Sequence, residues 1–348
     1  MTSTLDTQKT KPNQIKTLLS GLSLILRPTP PNNRAVPLPD WLPEDTPFPY
    51  WVPLVAKHGL VKVMPVLQDA TQYPALLQGI CQSLGTSSII EWQNRHYEVT
   101  GVETETDSLF VIQMTLSPKK PLPASINRAI HGICTQWFTN ADVNLGNAIH
   151  QMEPSPFTVS ARSVSHRTIQ LRIAVLQQEL LSPLLWGLCA DLGQEIFVMD
   201  IPCLVGSQVE IVSSSRFEKL DQVMPQDAIA LEFLTPTSFK QQQSIQNFPL
   251  PECVFGSLLR RWNAFAPEKL VLPEIQWQGL VSEYELKTHA IKMKADELGA
   301  QGWIRYRFPD SEQARIATIL AHFALFSGVG RKTAMGMGQA QLKRYPKR

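Results

Sequence analysis

The chain has 348 residues, enough for two or three hydrophobic cores, and its 43% hydrophobic and 18% charged content is that of an ordinary globular protein. No apolar run approaches the roughly 20 residues of a bilayer span, and the N-terminus lacks a secretory cleavage pattern, so a cytoplasmic protein is expected. Its 32 basic and 30 acidic residues nearly balance at +2, and Cys81, Cys134, Cys189, Cys203 and Cys253 are too scattered for a zinc site or a disulfide framework.

Residues 1–105 differ from the rest. Nine prolines from Pro28 to Pro53 forbid a regular helix and favour extended or turn structure. Trp41, Phe48, Tyr50 and Trp51 make the stretch too aromatic for a free linker, so it is expected to lie against something. A strand-like LVKVMPVL, a helix-like YPALLQGICQSLG and strand-like SSIIEW and HYEVTGV then suggest a small αβ unit. The acidic ETETD at 103–107 marks its boundary.

From Leu109 one pattern occurs twice. The first pass runs through strand LFVIQMTL, helix ASINRAIHGICTQWF, strands PFTVSAR and RTIQLRIAVL, helix QQELLSPLLWGLCADLG, and strand-like EIFVMDI and QVEIVSSS. The second runs through strand AIALEFLTP, helix PECVFGSLLRRWNAF, strands GLVSEYELKTHAIKM and GWIRYRF, helix SEQARIATILAHFALF and strand GQAQLKRY. Strands alternate with period 2 and helices repeat at 3.6, as in Ile316, Ile319, Leu320 and Phe323. Each pass is β-α-β-β-α-β, which predicts an α+β fold of tandem ferredoxin-like domains at 106–225 and 226–348 behind the 1–105 extension.

The segment FSGVGRKTAMGMGQ at 326–339 carries Gly328, Gly330, Gly336 and Gly338 around Arg331 and Lys332. A phosphate-binding Walker loop fails because Arg331 separates Gly330 from Lys332. A dinucleotide fingerprint fails because Thr333 stands where a third glycine is needed. Between the last helix and last strand, such glycines suit close approach to an anion, with Arg331 and Lys332 adding charge. A helix cap with a tight connection explains only one or two of them. From Phe326 onward there are six basic residues (Arg331, Lys332, Lys343, Arg344, Lys347, Arg348) and no acidic one, so backbone-phosphate recognition of nucleic acid is expected.

LFSGVGRKTAMGMGQ resembles the C-terminal glycine-rich signature of the CRISPR-associated repeat-processing endoribonucleases, within the repeat-associated mysterious protein superfamily. LPASINRAIHGICTQWF, GNAIHQMEPSPFTVS, LEFLTPTSFK and VFGSLLRRWNAF are similar to further segments of that family, in order over 109–348. The resemblance implies cleavage of CRISPR precursor RNA within its repeats without a metal or other cofactor. A ribose 2′-OH attacks the adjacent phosphorus and leaves a 2′,3′-cyclic phosphate. It also implies a CRISPR repeat RNA as partner, with other effector subunits as further partners, no membrane, and a monomer or homodimer. The alternative within the same superfamily is a non-catalytic RNA-binding subunit of an effector complex.

Seven histidines are present, and most have an ordinary structural reading. His322 lies on a core helix, His289 in a strand, and His58, His96 and His166 near strand starts or loops. His131 and Arg128 share a helix face at i,i+3. His150 ends a short helical stretch before a strand, where it could equally cap that helix. The family's catalytic histidine resembles His150, with His131 in the assisting place and Arg128 placed to stabilise the transition state. The family's nearby lysine is missing, since no lysine lies between Lys120 and Lys219; Arg128, Arg162 and Arg167 are the substitutes. Arg260 and Arg261 on SLLRRWNAF are candidate RNA-binding residues, and one of the two must leave the apolar stripe. Which histidine is base and which acid is open at this level.

Overall fold

A computed structural model describes residues 19–32, 34–56, 59–86, 89–293 and 295–343. His58 and the basic tail residues Arg344, Lys347 and Arg348 lie outside them. The first unit contains β1 (Gly21–Thr29), β2 (Val36–Pro37), β3 (Tyr50–Leu54), β4 (Val61–Val66), α1 (Tyr73–Thr86), β5 (Ile89–Trp92) and β6 (Arg95–Glu105). Its sheet order is β2-β5-β6-β1-β4-β3, with β6, β1, β4 and β3 antiparallel throughout. Taken as four main strands this is the order fourth, first, third, second. The proline-rich segment occupies the chain position of the first helix of such a unit. Its short 3-10 turn at Leu38–Asp40 buries Leu38, and Trp41 is buried just beyond it.

The second unit comprises β7 (Leu109–Pro118), α2 (Asn127–Ala141), α3 (Val143–Gln151), β8 (Phe157–Ser165), β9 (Thr168–Val175), α4 (Leu181–Cys189), β10 (Glu195–Val198), β11 (Ile201–Val205), β12 (Glu210–Ser215) and α5 (Phe217–Asp221). Its order is β10-β11-β7-β9-β8, with β12 also on β7. The fourth-strand position is thus shared: β11 pairs the end of β7 at 116–118 and β12 pairs its start at 109–113. EIFVMDI, expected as one strand, is a hairpin instead. Met199 and Asp200 both take positive φ, 49° and 64°, and reverse the chain between β10 and β11.

The third unit is β13 (Ala228–Thr237), the small hairpin β14 (Phe239–Gln241) and β15 (Ser244–Gln246), α6 (Pro251–Phe265), β16 (Leu280–Lys292), β17 (Asp296–Arg307), α7 (Ser311–Ser327) and β18 (Ala340–Leu342). The sheet order β16-β17-β13-β18 is again second, third, first, fourth. Among the described residues no helix is long and apolar enough to cross a membrane.

These units share cores. Phe110, Ile112, Met114 and Leu116 of β7 join a cluster with α2 and α4, whereas Leu109 and Val111 join the cluster of α6 and α7. Burial on both faces explains why LFVIQMTL is almost continuously apolar. Helix α7 buries Ile316, Ala317, Ile319, Leu320, Ala321, Phe323 and Ala324, so it is covered nearly all round, as a helix touching two sheets must be. It meets β13 and β18 of its own unit and β7, β8 and β9 of the second.

The first unit docks on α4. Tyr50 stacks on Trp186 at 4.2 Å, and the Tyr73 hydroxyl lies 2.9 Å from Ser182 Oγ, which also accepts from the Leu67 amide at 3.0 Å. The Val55 amide donates to the Val209 carbonyl, and the Val209 amide donates to that of Pro53, each at 2.9 Å. The expectation that the proline-rich stretch lies against the rest is met by Tyr50, while Phe48 remains 64% exposed.

Helices α2 and α4 cross closely at Gly187, where a Cβ would collide with the Trp137 carbonyl, whereas a Cβ on Gly132 meets open space. Gly187→Ala is therefore expected to lose about 1–3 kcal/mol in urea unfolding through overpacking. Gly132→Ala should be neutral or gain up to about 1 kcal/mol, since it relieves only glycine's helix penalty.

Candidate active site

Helix α7 ends where Gly328 takes φ 63°, and the chain then folds back on itself before β18. Gly330, Gly336 and Gly338 also have positive φ, at 79°, 89° and 70°. Side chains there would strike backbone or neighbours: Ser238 carbonyl at Gly330, Asn127 at Gly336 and the Val329 carbonyl at Gly338. These glycines thus serve a tight local knot as well as conformation. Its amides are largely spent inside the protein. Val329 donates to Gly338 at 2.7 Å, Gly330 to Ser257 Oγ at 2.9 Å, Arg331 to Ser238 at 3.0 Å and Gly338 to Pro236 at 3.1 Å. The close approach to an anion expected from sequence thus meets amides that are already bonded.

The knot reaches α2. The Ala334 carbonyl lies 2.9 Å from His131 Nδ1, and since a carbonyl can only accept, Nδ1 carries a proton. In the neutral ring, Nε2 is then left as an unprotonated base. The ring is stacked on Phe157 at 5.7 Å and 5°. Burial lowers its proton affinity, the Ala334 bond partly restores it, and the nearby His150 lowers it again. Asp142 leaves the helical conformation after α2 and caps α3, accepting from the Asn144 amide at 2.7 Å, and this places His150 in the last turn of α3. His150 is exposed, as is Arg128 on α2. The two histidines anticipated from sequence are thus electrostatic neighbours, one half-buried and fixed, one open.

The cations divide differently from expectation. Arg331 pairs with Glu297 at 3.2 Å and Lys332 pairs with the same carboxylate, and the Lys332 ammonium foremost holds that carboxyl below its usual range. Arg260 is exposed. Arg261 is buried, donates through Nη2 to the Ser155 carbonyl at 3.0 Å and is pushed down to about 10 by burial. The apolar stripe of α6 takes Arg261 inward, so it braces the segment between α3 and β8 and presents no open guanidinium to a phosphate.

Sequence reasoning missed Glu297 and Arg172. Arg172 on β9 is buried, donates through Nη1 to Gln339 Oε1 at 2.6 Å and through Nη2 to the Leu325 carbonyl. It ties the second unit to both ends of the knot. Neither partnership has a local signature, because the partners are 34 to 167 residues apart. One signal was available: residues 108–141 and 154–178 contain no Asp or Glu, yet hold Lys119, Lys120, Arg128, Arg162, Arg167 and Arg172. These stretches include α2 and the β8–β9 hairpin, so the surroundings of His131 are poor in negative charge.

An α+β fold of this order has known counterparts. Residues 231–340 match the family model of the CRISPR-associated endoribonuclease Cas6. The chain is 25% identical over 255 residues to a CRISPR-associated endoribonuclease Cas6 of Mycobacterium tuberculosis, covering 68% of this chain and 79% of that one. It is 26% identical over 163 residues to a Streptococcus thermophilus Cas6, covering 43% and 66%. A Cas6 product complex superposes with TM-score 0.61 at 24% identity over 68% of this chain and all of that one. Thermus thermophilus Cas6 does so with TM-score 0.54 at 23% identity, over 68% of this chain and 99% of that one. The resemblance read from the sequence is borne out: the chain is similar to the Cas6 endoribonucleases.

In an NMR titration the His131 ring should lose its proton below the ~6.5 of an ordinary histidine, and above that pH its 15N shifts should report a proton on Nδ1. A midpoint at or above ~6.5, or a proton on Nε2, would contradict the arrangement.

Proposed function

We propose that this chain is an endoribonuclease that cuts CRISPR precursor RNA within its repeats. The observation that carries this reading is the His131 imidazole held by the Ala334 carbonyl beside an exposed His150. The similarity to Cas6 endoribonucleases, and the resolution of solved Cas6 relatives as product and substrate-mimic complexes, support it. The strand orders support reading 106–225 and 226–348 as tandem ferredoxin-like domains, with 1–105 as an added module of the same strand order.

The ribose 2′-OH is the attacking group, so DNA is not a substrate. Burial keeps His131 neutral at pH 7, and its free Nε2 takes the 2′-OH proton. The 2′-oxygen bonds to phosphorus as the P–O5′ bond breaks, which leaves a 2′,3′-cyclic phosphate. Exposed His150, at the helix end and open to solvent, returns a proton to the departing 5′-oxygen. Arg128, one helical turn before His131, offsets charge on the phosphorane. Every proton passes between these side chains and the RNA, so the route calls for no metal.

Labelled repeat RNA incubated in EDTA should yield a single cut with a cyclic-phosphate end. His150→Ala and His131→Ala should each slow the cut about 10²–10⁴-fold while binding stays within a few-fold. Binding without any cut by the unaltered protein would assign it instead to RNA-binding subunits. In Glu297→Gln, freeing Arg331 and Lys332 should tighten RNA binding by up to about tenfold at low salt, fading as salt is raised.

A further inference from the structure

A cavity of about 300 Å³ lies beside this site and has no part in the scheme above. One wall is the segment leaving β7, with Pro118, Pro121, Leu122 and Pro123. The other is the β8–β9 hairpin, with Ala161, Ser163 and Ser165 on one strand face, His166 at the turn and Ile169. Its floor reaches Ile126 and Asn127, at the start of α2. Asn127 is buried, lies against Gly336 of the knot, and precedes His131 by four residues, one helical turn.

The lining has a consistent chemistry. Proline rings, Leu122, Ala161 and Ile169 give flat apolar walls. The polar edges are the Ser163 hydroxyl, which donates to the Ser165 carbonyl and can still accept, the Ser165 hydroxyl, which accepts from the Arg167 amide and can still donate, and the His166 ring. The volume is at the small end of ligand pockets, about 300–1,000 Å³, so it suits a single heterocycle. No lining residue is acidic. Lys120, Arg128 and Arg167 each adjoin a lining residue in sequence, are exposed, and have no ion pair among the described residues. An apolar slot with hydrogen-bonding edges and a cationic rim matches a nucleobase whose backbone stays outside.

We propose that this cavity is a binding site for one unpaired nucleobase of the RNA, next to the bond that is cut. The proposal rests on the endoribonuclease reading for its strand but not for its test. A base seated there anchors the strand one helical turn from His131 and selects single-stranded over fully paired RNA at that position, because a paired base has no free edge to offer. Base contacts of this kind carry selectivity that phosphate contacts do not.

The test uses fluorescein-labelled 2′-O-methyl decamers of A, C, G and U and an abasic decamer with the same backbone, followed by anisotropy. The methyl group blocks the attacking oxygen, so binding is read apart from cleavage. The unaltered protein should bind at least one base-bearing decamer ten or more times tighter than the abasic strand. Ser163→Ile, a strand-compatible change at an exposed position, should remove that preference and leave abasic affinity unchanged, and Ala161→Leu should do the same from deeper in the slot. Far-ultraviolet dichroism melts confirm that each variant is folded. Equal affinity for all five strands, or a preference that survives both folded variants, would overturn the proposal. Failure to cut unmodified RNA would overturn the endoribonuclease reading and leave this site standing.

Discussion

The contact between the Ala334 carbonyl and His131 Nδ1 is the constraint on which the rest of the site depends. It fixes a tautomer and an orientation, and it requires the chain after α7 to turn back sharply enough to present a carbonyl to α2. Positive φ at Gly328, Gly330, Gly336 and Gly338, and at Lys332 between them, makes that turn. Arg172 and Ser257 hold the knot from two other elements. The glycines therefore set the orientation of the imidazole to which the proposed scheme assigns the proton transfer.

That geometry needs two sheets held rigidly about one helix. Helix α7 is apolar on nearly every side and joins the cores of the second and third units, so the knot at its end cannot drift relative to β9 or α2. The buried guanidinium of Arg172 is tolerated because its hydrogen bonds go to a fixed side-chain amide and a fixed carbonyl. The first unit adds a third sheet with the same strand order and presses on α4 through β3 and β4.

Much of this was legible in the sequence, for physical reasons. Periodicity located the α+β elements of both passes, because strands buried on one or both faces and helices with an apolar stripe leave strong signals. It missed the β10–β11 turn, since Met199 does not ordinarily take positive φ and no glycine or asparagine stands beside Asp200 to mark the reversal. His131 could be singled out by the helix face it shares with Arg128, His150 by its place at the end of α3, and both by resemblance. Arg261 illustrates the limit: adjacent arginines differ by about 100° around a helix, and only packing decides which one is taken inward. The pairing of Arg331 and Lys332 with the single Glu297 was hidden for a similar reason, because the carboxylate arrives from β17.

The central claim is that one imidazole, held neutral by burial and oriented by the knot, faces a ribose hydroxyl. A crystal structure of the His150→Ala protein with uncut repeat RNA measures this directly. The account predicts a ribose 2′-oxygen within about 2.6–3.2 Å of His131 Nε2, with the next phosphate beside α3. RNA bound with no 2′-oxygen near that nitrogen would contradict it.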